Sequence, residues 1–68
     1  MTAGRIKWYN EKKGYGFIET DEHGDIFFHN SSIENHGFFG LQKSDRVSFE
    51  IINTRRGKQA GRVKSIEN

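Results

Sequence analysis

The sequence predicts an all-β fold, a small closed barrel of five short strands. Three observations carry this. The chain has 68 residues, which is one domain spanning 1–68. Apolar and polar residues alternate with period two in several short runs, and no segment keeps a helical period. Glycines at 14, 24, 37, 40, 57 and 61 punctuate those runs, and there is no proline. Closure into a barrel removes exposed sheet edges, and an open sandwich would need more strands.

The first strand is expected at Gly4–Asn10, followed by the turn "NEKKG". The second is Tyr15–Thr20, then the turn "DEHG", where Asp21 and Gly24 are typical turn residues. The third is Asp25–His29. A long irregular stretch, Asn30–Asp45, follows, with one short helical turn at Ser31–Ile33. The fourth strand is Arg46–Asn53, the turn is "TRRGK", and the fifth is Gln59–Ile66.

Alternation assigns the inward faces. They are Gly16 and Ile18 in strand two, Ile26 and Phe28 in strand three, Val47, Phe49 and Ile51 in strand four, and Val63 in strand five. Strand one breaks the rule. Ile6 reads as core, which by period two would bury Trp8 as well. Either Trp8 is inside, or a bulge switches the face between 6 and 8.

Composition narrows the function. Leu, Ile, Val and Phe make up a little under a quarter of the chain, enough for a thin core. There is no Cys, so disulfides and thiolate metal sites are excluded. No apolar run is long enough to cross a membrane, and no signal-peptide pattern opens the chain, so a cytoplasmic protein is expected. Net charge is +2 but uneven. Residues 1–13 carry four basic groups and one acidic; residues 14–54 carry two and seven; residues 55–68 carry five and one. A fold that joins the two ends makes a positive surface suited to an anionic partner such as nucleic acid.

The aromatic residues are the main functional signal. Tyr15 and Phe17 share a strand face with Glu19, which requires water. Phe27 and His29 lie opposite Ile26 and Phe28. If strands two and three pair as a hairpin, these four rings form one outward patch. Burying a ring stabilises a fold by about 1.5–3 kcal/mol, so a thin domain leaves rings outside only if something else covers them. Bases do so, at roughly 1–3 kcal/mol each, with little regard for sequence. Lys7, Lys12 and Lys13 nearby suit phosphates. The competing reading packs one ring set under residues 30–45.

Gly14 suits a turn at positive φ, and Gly16 suits close approach of another backbone. A nucleotide-binding glycine loop does not fit, because Glu19 stands where the third glycine belongs and no helix follows. His29 with Ser31 makes no supported triad, so no catalytic residue is assigned and no enzyme is expected. Asp21, Glu22, His23 and Asp25 lack metal-ligand spacing. No metal, cofactor or small-molecule substrate is expected. Asn30-Ser31-Ser32 matches a glycosylation acceptor only formally.

"KWYNEKKGYGFI" at 7–18 and "DIFFH" at 25–29 resemble the two nucleic-acid-binding motifs of bacterial cold-shock proteins. The resemblance continues through "GFFGL", "VSFEI" and "RRGKQA", so it covers nearly the whole chain. "KGYGFI" alone also resembles the core motif of RNA-recognition-motif domains, but those need two helices that this chain does not offer. The resemblance implies a five-stranded antiparallel Greek-key barrel of the oligonucleotide-binding type. It favours the bulge in strand one. It implies stacking platforms at Trp8, Tyr15, Phe17, Phe27, His29 and Phe38. It implies phosphate or base-edge contacts from Lys7, Lys13 and Arg56, polar contacts from Asn10 and Gln59, and an edge position for Tyr9. Asn30 departs from the family, putting an amide where an aromatic is usual. Lys58 stands where proline is frequent.

The function implied is binding of single-stranded RNA or DNA with low sequence selectivity, by a monomer, as an RNA chaperone. Family resemblance extends this to cold adaptation, translation and transcription antitermination. The rival is a small interaction barrel that grips a proline-rich peptide or other protein partner with its aromatics. Such grooves sit beside acidic residues, whereas lysines flank this patch.

Overall fold

The computed structural model describes residues 2–34 and 44–66. Five strands form a closed barrel: β1 (Thr2–Asn10), β2 (Tyr15–Thr20), β3 (Gly24–His29), β4 (Arg46–Thr54) and β5 (Gly57–Ser65). Their order around the barrel is β1-β2-β3-β5-β4, with β4 returning to β1. One 3₁₀ turn, Asn30–Ser32, follows β3. It begins one residue before the helical turn expected from sequence. β1 starts two residues earlier than expected, and β5 starts at Gly57, inside the presumed turn.

Four seams are antiparallel, and the fifth, β3–β5, is parallel. An odd number of strands cannot close a ring with every neighbour antiparallel, so one parallel seam is obligatory. It is short, with Phe27 opposite Gln59 and Phe28 opposite Ala60. A further parallel bridge, Ile33 to Val63, extends contact beyond it.

The interior matches the alternation. Ile6, Ile18, Ile26, Phe28, Val47, Phe49 and Val63 are buried, and Ile51 packs half-buried against them. Ile33 and Ala60 complete the core. Ile33 lies just past the 3₁₀ turn, and Ala60 beside a glycine, so neither sits in a clean period-two run. Buried Thr20 is satisfied locally. Its hydroxyl donates to the Gly24 carbonyl at 2.9 Å and accepts the His23 N–H at 2.9 Å. Thr54 closes the β4–β5 turn in the same way, donating to the Gly57 carbonyl and accepting the Arg56 N–H.

The β1 ambiguity resolves as a bulge. The β1–β2 register shifts between Ile6 and Trp8, so Ile6 faces the core while Trp8 is 39% exposed. Gly16 makes room for it. A Cβ at Gly16 would collide with the Trp8 carbonyl and the Tyr9 backbone. Gly14 closes the β1–β2 turn at φ +81°, a conformation that strains any other residue. Its N–H donates to the Asn10 carbonyl, and the Asn10 side chain accepts the Lys13 N–H.

Candidate nucleic-acid interface

The outer face of β1, β2 and β3 is a grid set by strand register. Cross-strand partners point to the same side of a sheet. One row reads Asn10, Tyr15, His29. The next reads Trp8, Phe17, Phe27, and continues across the parallel seam to Gln59. The third reads Arg5, Glu19, Asp25. Successive rows are two residues apart along β2 and β3, about 7 Å.

Four rings in the first two rows form a closed circuit. Ring centroids lie 5.4 Å apart for Trp8–Tyr15, 5.6 Å for Trp8–Phe17, 5.6 Å for Tyr15–Phe27 and 5.8 Å for Phe17–Phe27. The interplanar angles range from 30° to 77°. Rings packed edge to face support one another while leaving faces open. Tyr15, Phe17 and Phe27 are half-buried, and each packs against two other rings of the circuit. Tyr9 is different. Its ring stacks on core Phe28 at 5.5 Å and 24°. Burial, and secondarily Glu11, raises its hydroxyl pKa above the usual tyrosine value.

His29 is exposed, and its Nδ1 accepts the Ser31 N–H at 3.1 Å. The imidazole thereby caps the 3₁₀ turn. Asn30 donates its N–H to the Gly14 carbonyl at 2.8 Å and lays its amide against Gly14. This ties the β1–β2 turn to the end of β3. Next to His29 lies a cleft of about 460 Å³ whose lining includes Phe27, Arg55, Arg56 and Gln59. Arg56 and Gln59 thus join the ring patch from the β4–β5 turn and from β5. Sequence reasoning passes over Arg55, which lines the same cleft. The Arg-Arg doublet in "TRRGK" is the signal that points to it. Phe38 lies outside the described residues.

Charge is unevenly distributed around the grid. Lys12 and Lys13 in the β1–β2 turn, and Arg55, Arg56 and Lys58 at the β4–β5 tip, are exposed. No ion pair engages them among the described residues. Lys7 is engaged. Its Nζ donates to Asp25 at 2.7 Å, and that bond, then the Asp25 charge, raises the ammonium pKa. Arg62 and Lys64 are also engaged, at 3.2 and 3.4 Å from Glu34. The hydrogen bond from Arg62 is the largest cause holding the Glu34 carboxyl below its usual value.

Residues 2–66 match the family model of the 'cold-shock' DNA-binding domain. The chain belongs to this family. Cold-shock domains are nucleic-acid binders and not enzymes. Among relatives, a cold shock-like protein of Thermotoga maritima is 50% identical over 94% of this chain and 97% of its own length. Cold shock protein CspB of Geobacillus stearothermophilus is 46% identical over 93% and 96%. The major cold shock protein CspA of Bacillus cereus is 48% identical over 90% and 91%. Among solved structures, the Drosophila Unr fragment CSD456 superposes with a TM-score of 0.79 at 26% identity. That match covers 96% of this chain and 26% of the larger one. The five-stranded closed barrel is therefore a cold-shock domain fold of the oligonucleotide-binding type. No helix among the described residues is long and apolar enough to cross a membrane.

Proposed function

We propose that this cold-shock domain binds single-stranded RNA and DNA with low sequence selectivity, as a monomer, by stacking bases on the outer face of β1–β3. The four-ring circuit of Trp8, Tyr15, Phe17 and Phe27 carries this reading. His29 extends the platform, and the family resemblance gives Phe38 a stacking role as well. Lys13 and Arg56 serve phosphates, Lys7 serves them when released from Asp25, and Asn10, Asn30 and Gln59 supply polar contacts. Tyr9 supports the face from below.

The mechanism follows from what a ring can touch. Bases in a duplex are already stacked, so only an open strand presents its faces. Each stacked base contributes roughly 1–3 kcal/mol, against a duplex stacking step of about 1.4 kcal/mol. A few engaged rings therefore shift short, weak hairpins toward the open strand by mass action, without ATP. This is RNA chaperone activity in the cytoplasm, and it serves cold adaptation, translation and transcription antitermination.

Trp8 is the sole tryptophan, so its fluorescence reports on the face directly. Titration with a short single-stranded oligonucleotide is expected to quench it saturably, and the matching duplex to quench it far less. Equal response to both, or binding of neither, would overturn the proposal and turn attention to a peptide partner.

A further inference from the structure

The grid does not stop at β1. Arg5 stands opposite Arg46 on β4, and cross-strand partners share a face of the sheet. The third row therefore runs Arg46, Arg5, Glu19, Asp25. Two arginines placed directly opposite each other cost a sheet stability. Both are exposed and outside the core. No ion pair engages either side chain among the described residues. The fold alone gives no reason for the pair, whereas an anion bridging the two guanidinium groups would.

Two clefts join this pair to the ring patch. The first, about 470 Å³, is lined by Arg5, Ile6, Lys7, Trp8, Glu19 and Ser44. The second, also about 470 Å³, includes Arg5, Glu19, Asp21 and Arg46 in its lining. They share Arg5 and Glu19. Arg5 lies three residues before Trp8 on β1, about 10 Å away. A strand that leaves the rings past Trp8 and Lys7 enters the first cleft and arrives at the arginines. Glu19 and Asp21 border the second cleft from β2 and the β2–β3 turn, and the arginines border it from β1 and β4. A phosphate is therefore favoured on the β1–β4 seam. Directly opposed residues have Cβ atoms about 5 Å apart, close enough for both guanidinium forks to bind one phosphate.

Building on the reading of the β1–β3 face as a single-strand platform, we infer that Arg5 and Arg46 form a further phosphate site, which holds the backbone of a strand after it leaves the rings past Trp8. The ligand is a phosphodiester group, and its binding turns an unfavourable like-charge pair into a bridged one. Strands long enough to reach the site bind more tightly than strands that cover the rings alone.

The test is Arg5→Gln combined with Arg46→Gln, titrated across a salt series with single-stranded oligonucleotides of about five and about ten nucleotides, both within the roughly 4–16 that such a fold covers. The control is Arg62→Gln with Lys64→Gln, the same change of charge at two cations held by Glu34. The arginine variant is expected to bind the longer strand about fivefold more weakly at roughly 0.1 M salt, with a log K versus log salt slope flatter by about 0.7, one single-strand phosphate contact. Its affinity for the shorter strand should stay within about twofold of the parent, since at this salt exposed charges act over only about 10 Å. Its urea midpoint should not fall, because the substitutions relieve a like-charge pair. Arg46→Gln alone should show most of the loss, since both forks act on one phosphate. An unchanged affinity for the longer strand, an equal loss for both lengths, or the same loss in the control would overturn the inference while leaving the single-strand platform standing. Failure of the shorter strand to quench Trp8 in the parent protein would overturn both.

Discussion

Phe27 and Phe28 are neighbours in sequence with the same side chain and opposite surroundings. Phe28 is fully buried, with Ile6, Ile18 and Phe49 in the same core. Phe27 is half-exposed, edge-on to Phe17 and tilted against Tyr15. The strand period of two separates them. Hydrophobicity alone does not say which ring belongs to the core and which to the outer face; register does. The inner ring is held by the protein's own core, whereas the outer ring stays half-exposed among the described residues.

The largest expected effect breaks the inner member. Phe28→Ala removes a fully buried ring, at a cost of about 3–5 kcal/mol. A domain this small has a stability of only a few kcal/mol to about 10, so urea denaturation should show the variant largely unfolded. Next comes Gly16→Ala, on the inner side opposite the bulge. The added methyl meets the Trp8 carbonyl and should destabilise by about 1–3 kcal/mol through overpacking. It should also alter Trp8 emission, because the bulge must shift.

Much of this contrast was legible in the sequence. Glu19 on the face of Tyr15 and Phe17 oriented strand two, and Ile26 and Phe28 did the same for strand three. Gly14 and Gly16 read correctly because positive φ and close approach each leave glycine as the easy solution. Trp8 did not read from alternation, since a bulge adds one residue and leaves no mark in a period-two pattern. The family resemblance was needed there. Ile33 was missed because a core residue following a 3₁₀ turn has no periodicity to reveal it. The pairing of Lys7 with Asp25 joins residues 18 apart in sequence and depends on the same bulge, so no local motif announced it.

The outer member gives effects of the opposite kind. Phe27→Ala and Phe17→Ala should each weaken oligonucleotide binding by about 1–3 kcal/mol. Their denaturation midpoints should stay close to that of the parent, because neither ring belongs to the buried core. A variant that loses stability and keeps its binding would reverse the assignment of Phe27 and Phe28. Trp8 emission measures both properties in one sample.

The smallest effects come from two lysines that differ as the two phenylalanines do, one engaged within the protein and one open. Lys13 is exposed, and no ion pair engages it among the described residues. Lys13→Ala should weaken all sequences alike and flatten the log K versus log salt slope by about 0.7, one single-strand phosphate contact. Lys7 donates to Asp25 at 2.7 Å. A phosphate can recruit it only by displacing that carboxylate, so the binding gain is offset by the bond given up. Lys7→Ala should therefore flatten the slope by clearly less than Lys13→Ala. The raised pKa of Lys7 keeps its ammonium charged through neutral pH, so the effect of Lys7→Ala should not change between pH 6 and pH 8, a range well below an ordinary lysine pKa of about 10.4. In an Asp25→Asn background the offset disappears, and Lys7→Ala should then cost as much slope as Lys13→Ala. Equal slopes for the two lysines in the parent protein would show that the Asp25 bond does not restrain Lys7. The distinction between engaged and open side chains would then hold for the rings alone.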